Sequence, residues 1–396
     1  MDFSLNEDQQ AFADSARALF ADYCSDEALR LHDAGTAPYM INLWAQCKAN
    51  GLHSILISES AGGLGLGMTE LGAVLEQQGR ALALVPLAEH QLVASTLERY
   101  ADAAAVPVEG GPSVSGMVAQ AAQGEVMLTL SLTALQDATG PRLQAHHAGS
   151  SVVLAGDVHA VAFGAQADAV LVPVNLDGVW RLALISKSMP GVSVTAGRSQ
   201  HHLEVADFKL QDVRIPESHL LDAAALPWLE SRHTACVAAT QMGVSAAQLQ
   251  RTVEYVSQRK QFGRAIGTFQ LVAGQMADAQ ILLEALRSSY SQLAYRLDSG
   301  LGCGAQSLAV KVLAAQAAHF IGHKAQHVHG GMGVDITYPI HRYLYWSRML
   351  SASLGGSEAS LERLGHWLAE NDALGWKYDL PEDAGTPAGQ GVHHAA

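Results

Sequence analysis

The spacing of apolar positions along this chain changes period twice, and the changes divide it into three. Phe12, Ala16, Leu19 and Phe20 recur at threes and fours, which predicts a helix over residues 6–22. Asn6 precedes that run with Gln9 three positions on, the arrangement of a capping box. Further helices are predicted near residues 40–50, 68–82 and 87–100. From about 103 to 124 the composition turns to Ala, Gly and Pro and reads as a linker. Val126 to Leu132 then alternates with a period of two. Short apolar runs come next at 152–154, 169–174, 179–185, 192–194 and 202–210, ending at Val213-Arg214-Ile215-Pro216, the spacing of an antiparallel barrel or sandwich. Beyond Leu226 the helical period returns. Val272, Met276, Ala279, Leu283, Leu286, Tyr290, Leu293 and Leu297 form a heptad seam, as in a left-handed helical bundle, and a partner helix is predicted over 305–328 after a turn at Gly300 to Gly304. A last helix is predicted over 356–370.

The expected division is therefore a helical segment over 1–124, a β domain over 125–222, a helical bundle over 223–370 and a disordered tail over 371–396, rich in Pro, Gly and Ala. Composition narrows the class. Of 396 residues, 49% are hydrophobic and only 16% charged, which fits a globular chain with much surface buried between helices. The net charge of −14 repels nucleic acid and anionic membranes on average, so an anionic ligand has to be held by local arginines. No uncharged apolar run reaches the ~20 residues of a membrane span. Four cysteines without metal or redox spacing, and no basic-then-apolar leader, lead to the expectation of a reduced cytoplasmic protein.

Candidate chemistry comes next. Gly63-Leu64-Gly65-Leu66-Gly67 has the look of a dinucleotide fingerprint, but Trp44 to Leu52 before it reads as helix, which argues against a βαβ unit. His319, His323 and His327 share a helix face at i, i+4, i+8; with no acidic partner, a polar seam at a subunit contact is expected and no metal. The doublets His146-His147 and His201-His202 read as surface. Residues 259–263, Arg-Lys-Gln-Phe-Gly, form a polar corner between two helices. Gly263 and Gly267 allow turns closed to other residues, and Arg259 offers a planar fork suited to phosphate oxygens. A plain helix-helix turn with a solvated arginine is the alternative.

That corner with Gln270 beyond it, then His329-Gly330-Gly331-Met332-Gly333 leading to Pro339-Ile340-His341-Arg342-Tyr343, resembles the flavin-dependent acyl-CoA dehydrogenase family. The likeness runs from Met1-Asp2-Phe3 to about residue 370. It implies a mainly α fold with a central β domain: an N-terminal helical domain, a β barrel or sandwich and a C-terminal four-helix bundle. It also implies α,β-dehydrogenation of an acyl-CoA thioester, in which a carboxylate base removes a proton, FAD accepts a hydride and electron-transfer flavoprotein takes the electrons onward. The family's base lies just before the Gly-Thr or Gly-Ser that opens the last helix. The matching run here is Ser353-Leu354-Gly355-Gly356-Ser357, so Gly355 occupies the base position and cannot take a proton. A second family position for the base matches His233, with Thr234 where an arginine usually comes next. His233, whose ordinary pKa of about 6.5 suits base work, is the remaining candidate. Glu230 and Glu358, each three residues from a base position, face elsewhere.

The resemblance assigns flavin contacts to Arg259, Gln261, Phe262, Gln270, His327, Gly330 and Gly331, which reach across to a neighbouring subunit's cofactor, and to Ser357 and Thr133. His327 stands where the family usually has Gln. On the β side the pattern departs further: the family's Thr-Glu-Pro strand end is Leu132-Thr133-Ala134-Leu135 here, and its Trp and Thr on the next strand match Ala160 and Ala162. A chain that keeps the donated half of a flavin site and lacks the receiving half is similar to the base-lacking subunit of hetero-tetrameric acyl-CoA dehydrogenases acting on steroid side chains. The expectation is such a subunit, in fatty acid or steroid side-chain β-oxidation, completing a second subunit's site. A self-sufficient homomer using His233, or a silent acyl-CoA-binding scaffold, stands as the alternative.

Overall fold

In a computed structural model of the chain, residues 5–101, 114–136 and 142–371 are described. The predicted tail and the opening Met1-Asp2-Phe3 lie outside them. Helices α1 (Glu7–Tyr23), α2 (Asp26–Ala34), α3 (Ile41–Ala49), α4 (Met68–Ala81), α5 (Leu87–Tyr100) and α6 (Val114–Ala122) come first. Strands β1 (Leu128–Leu130), β2 (Leu143–Ala148), β3 (Ser151–Ala162), β4 (Ala169–Leu176), β5 (Val179–Ser186), β6 (Val192–Arg198) and β7 (Glu204–Pro216) are next. Then come α7 (Ala225–Gln258), the short strands β8 (Lys260–Gln261) and β9 (Arg264–Ala265), α8 (Gln270–Asp298), α9 (Gly304–His329), α10 (Ile340–Ala352) and α11 (Gly356–Glu370). The predicted mainly α fold with a central β domain is the observed one.

Local signals account for the helix starts. The Asn6 N–H donates to Gln9 Oε1 at 3.0 Å and the Gln9 N–H to Asn6 Oδ1 at 2.8 Å, the reciprocal capping box expected from the sequence. Gly63 to Gly67 form a loop that enters α4, with no strand before it. Of the linker expected over 103–124, residues 103–113 lie outside the described residues and the rest needs correcting: α6 occupies Val114–Ala122, because Val114, Met117, Val118 and Ala121 recur at helical spacing and are buried.

Chain contacts group the described residues into two compact units, one drawn from 1–18, 68–82 and 234–396, the other from 19–67 and 83–233. In the second unit the sheet runs β1-β4-β2-β3-β7-β6, with β5 also paired to β4. It is not antiparallel throughout as expected: β1 and β2 each pair with β4 in parallel. β2 is not legible in the sequence because Leu143 is its sole buried residue and no alternation shows. β7 carries a bulge. Leu210 opposes Gly156 and Val213 opposes Leu154, so Gln211 and Asp212 together face the single residue Ala155 and the buried parity switches from even to odd numbers. Without that extra residue Val213 and Ile215 would point to solvent.

Buried imidazoles tie this unit together. The fully buried His90 ring accepts from the Leu128 N–H through Nδ1 at 3.3 Å and donates from Nε2 to the Ala121 carbonyl at 3.1 Å, joining α5 to α6 and β1. Burial pushes its pKa down to about 3, so it is neutral. His201 also corrects an expectation. It is buried rather than at the surface, bonded to Ser199 Oγ at 3.0 Å, with burial lowering its pKa to about 4.

In the first unit the α8 seam is buried at Ala279, Leu283, Leu286, Tyr290, Leu293 and Leu297, and opens toward Val272 and Met276 at its start. Asp298 closes the start of α4. Its carboxylate accepts from the Met68 N–H at 2.6 Å and from the Thr69 N–H and hydroxyl at 3.0 and 2.6 Å, an anion placed against a helix N-terminus.

Candidate functional site

The stretch at 259–270 is more ordered than a corner. α7 stops at Gln258, and β8 and β9 pair as a two-residue hairpin with Lys260 opposite Ala265 and Gln261 opposite Arg264. Phe262 and Gly263 form the turn with φ of +53° and +81°, the twist a tight hairpin needs. For Phe262 that backbone is costly, and its ring is 93% exposed. The ring meets Phe269 edge-on at 6.2 Å, and the Arg264 guanidinium lies 4.3 Å over the Phe269 ring. This brace was not anticipated from the sequence; an Arg five residues before a Phe is too common a pattern to mark it. Gly267 does not take a left-handed conformation. A side chain there would stand 3.1 Å from the Val256 carbonyl, so its role is close approach to α7.

The Arg259 N–H continues α7 by bonding the Tyr255 carbonyl, and its own carbonyl accepts from Ile266, which leaves the backbone fixed and the side chain exposed. Gln261 and Gln270 are likewise exposed, Gln270 at the first position of α8. His327 is exposed on the last turn of α9, where its carbonyl accepts from the Gly330 N–H. Gly330 and Gly331 have open space where a side chain would stand, so their backbone is accessible from that side.

Leu354, Gly355 and Gly356 have φ of +57°, +81° and +75°, three positive values in succession between α10 and α11. Gly355 caps α11 without a side chain to bond its first amides. Two positions on, Ser357 lines a cleft of about 640 Å³ with His319, His323, Arg348 and Ser351. The rings of His319 and His323 lie 4.5 Å apart. Burial, then the neighbouring His319 and Arg348 charges, hold the His323 pKa below the usual imidazole value. Behind the turn Lys311 is buried and donates to the carbonyls of Leu350 and Ser351 at 2.7 and 2.9 Å. Burial lowers its pKa to about 8. Sequence reasoning passed over it, although a lone charge in the otherwise uncharged run from Gly304 to Gly322 was a signal.

The other unit holds the remaining positions. Thr133 opens a 3₁₀ turn after β1, exposed, its hydroxyl 2.9 Å from Ser131 Oγ. Ala160 and Ala162 end β3; the Ala160 N–H donates to Asp207 at 2.9 Å and the Ala162 carbonyl accepts from the Thr129 hydroxyl at 2.6 Å. These groups are partnered within the chain and offer no side-chain donor. His233 sits half-buried on α7. Arg259, Gln261, Phe262, Gln270, His327, Gly330, Gly331 and Ser357 thus belong to one unit, and Thr133 and His233 to the other. The residues of the first unit fit the diphosphate end of a flavin: an exposed guanidinium, an exposed amide and two glycines with open space beside their backbone. Of the second, Thr133 carries a hydroxyl, and Ala160 and Ala162 carry no side-chain donor.

Two family descriptions match the chain, the acyl-CoA dehydrogenase N-terminal domain over residues 6–105 and C-terminal domain over residues 231–369. Acyl-CoA dehydrogenase FadE27 of Mycobacterium tuberculosis is 33% identical over 384 residues, covering 94% of this chain and 100% of its own. Among solved structures, the chain is similar to one in the ChsE4-ChsE5 complex from Mycobacterium tuberculosis, with a TM-score of 0.85, 32% identity, and 93% of this chain and 99% of that one covered. It is similar also to a chain of a Tcur3481-Tcur3483 steroid ACAD variant, at a TM-score of 0.84 and 31% identity over 93% of this chain and 100% of that one. No helix among the described residues is long and apolar enough to cross a membrane.

Proposed function

The chain belongs to the acyl-CoA dehydrogenase family, and from that premise we propose that it is the base-lacking subunit of a heteromeric enzyme and completes the flavin site of a base-bearing partner. The observation that carries this is Gly355. At the family's base position stands a residue with no side chain, in a left-handed turn that disfavours any L side chain. FAD, when bound, supplies the hydride acceptor.

The chain's own residues have narrower tasks in this reading. Arg259 pairs with the diphosphate through two parallel N–H donors. Gln270 and the Gly330-Gly331 turn bring further donors alongside, and Phe262 excludes water from the contact. Phe262 and Leu271, 93% and 74% exposed and close in sequence to Arg259 and Gln270, are apolar residues that a partner chain on the hairpin would cover. Two of the similar structures are described as two-component assemblies, one of them a steroid enzyme, which supports a CoA thioester with a bulky, steroid-like acyl group as substrate.

Expression with and without a base-bearing family member tests the proposal. Alone, the chain should hold little flavin and form no enoyl-CoA; together, the pair should be yellow and active. A yellow, active homomer would overturn it and point to His233.

A further inference from the structure

The turn at the base position is held by a residue outside the flavin set. Lys311 is 2% exposed, and its ammonium donates to the Leu350 carbonyl at 2.7 Å and the Ser351 carbonyl at 2.9 Å, and reaches Ser353 Oγ at 3.5 Å. Ser353 Oγ in turn donates to the Leu350 carbonyl at 2.7 Å, and the Gly356 N–H bonds the Ser353 carbonyl. The last carbonyls of α10 have no donors within their own helix, and a cation is favoured at that end by the helix dipole. All three acceptors of Lys311 are neutral. An apolar side chain of the same length would fill the space without the cost of burying a charge, so what the ammonium adds is directed bonds.

Those bonds stop α10 at one place, and the turn beyond it is strained. Leu354 sits at φ +57°, a region that L side chains avoid, immediately before the two positive-φ glycines. Such a conformation persists where its surroundings over-determine it, and the Lys311–Ser353–Leu350 network is that surrounding. α11 starts directly beyond, with Ser357 in its first turn and Ser360 Oγ bonded to the Gly356 carbonyl at 3.0 Å.

We infer that Lys311 is a positioning residue: it sets the turn from Ser353 to Gly356 and thereby the placement of the Ser357 hydroxyl toward the flavin. The second half of that statement rests on the flavin reading above; the first half does not.

Backbone amide exchange in the full chain, and flavin affinity in the complex with a base-bearing partner, test the two halves. In Lys311→Met the amides of Leu354 to Ser357 should exchange about tenfold faster or more, while those around Tyr290 on α8 stay as they were. Flavin should bind roughly fivefold or more weakly. Lys311→Gln, which keeps an amide donor and is the safer variant for folding, should fall between. Unchanged exchange at 354–357 in both variants overturns the inference. So does faster exchange with full flavin affinity, since Lys311 would then serve only the fold. If Arg259→Ala loses flavin and Lys311→Met does not, this inference alone fails; if neither loses flavin, the flavin reading fails with it.

Discussion

The hairpin of the helical unit and the strand ends of the β unit present opposite kinds of surface. At the hairpin, Phe262 is 93% exposed on a strained backbone and Arg259 stands out from the end of α7. At the strand ends, the Thr133 hydroxyl pairs with Ser131, and Ala160 and Ala162 carry no side-chain donors and bond within the chain. Backbone strain does not separate the two, since Ala160 has the same φ of +53° as Phe262; exposed apolar surface does, and a fold tolerates it when something beyond the chain covers it. Groups already partnered inside the chain ask for nothing. The two units also differ inside: the β unit holds the most deeply buried imidazole, His90, whereas the helical unit, which buries His329 too, sets Asp298 and Lys311 against helix ends.

That interior difference leads to the largest predicted effect. The His90 pKa is about 3 folded against an ordinary 6.5, so the unfolded chain binds more protons as the pH falls between those values. Stability is complete above about pH 6.5 and is lost progressively toward pH 3, by about 3–5 kcal/mol at ~1.36 kcal/mol per unit. Urea midpoints at pH 7 and pH 4 should differ far more for the wild type than for His90→Gln, and exchange should show the β unit opening first. Parallel pH slopes in the two proteins would erase the interior contrast.

Arg259→Ala in the mixed complex comes next. Losing a hydrogen bond to a charged group should weaken flavin binding by about 1.5–3 kcal/mol, roughly ten- to a hundredfold, with the two chains still co-eluting. Full flavin retention would return Arg259 to a solvated turn residue. Gly355→Glu should lower stability by about 1–2 kcal/mol in thermal melts, because φ of +81° favours glycine over an L side chain. It should add little turnover on acyl-CoA if, as proposed, the flavin is held by a partner's β unit; strong activity would show that this chain's own β unit suffices. The smallest effect is expected from Thr133→Ala, under about 0.5 kcal/mol in stability and little in flavin affinity, because the hydroxyl is exposed and bonded within the chain. A loss matching that of Arg259→Ala would put a working contact on the β side and end the contrast.

The sequence by itself determined the family and most of the helices; α2 and α10 were not predicted and α6 was read as linker. Asn6 with Gln9, the heptad seam through Leu286 and Tyr290, and the glycines at 330 and 331 are local patterns, and caps and periodicity act over a few residues, so they survive without knowledge of the partner strand or helix. The predicted edges near 68, 87, 100, 356 and 370 accordingly lie within one or two residues of the observed ones. Only the tertiary structure decided what depends on distant chain. The parallel pairing of β1 with β4 joins residues some forty positions apart, β2 is placed in the sheet by its parallel contact with β4 at Asn175, and α6 forms because α5 covers its apolar face. Arg259 could be singled out because the motif that carries it is contiguous in sequence, although the hairpin it enters was not predicted. Lys311 was not, because its acceptors at Leu350, Ser351 and Ser353 lie some forty residues away, at the end of another helix, and an ammonium is worth burying only where such carbonyls already wait for it.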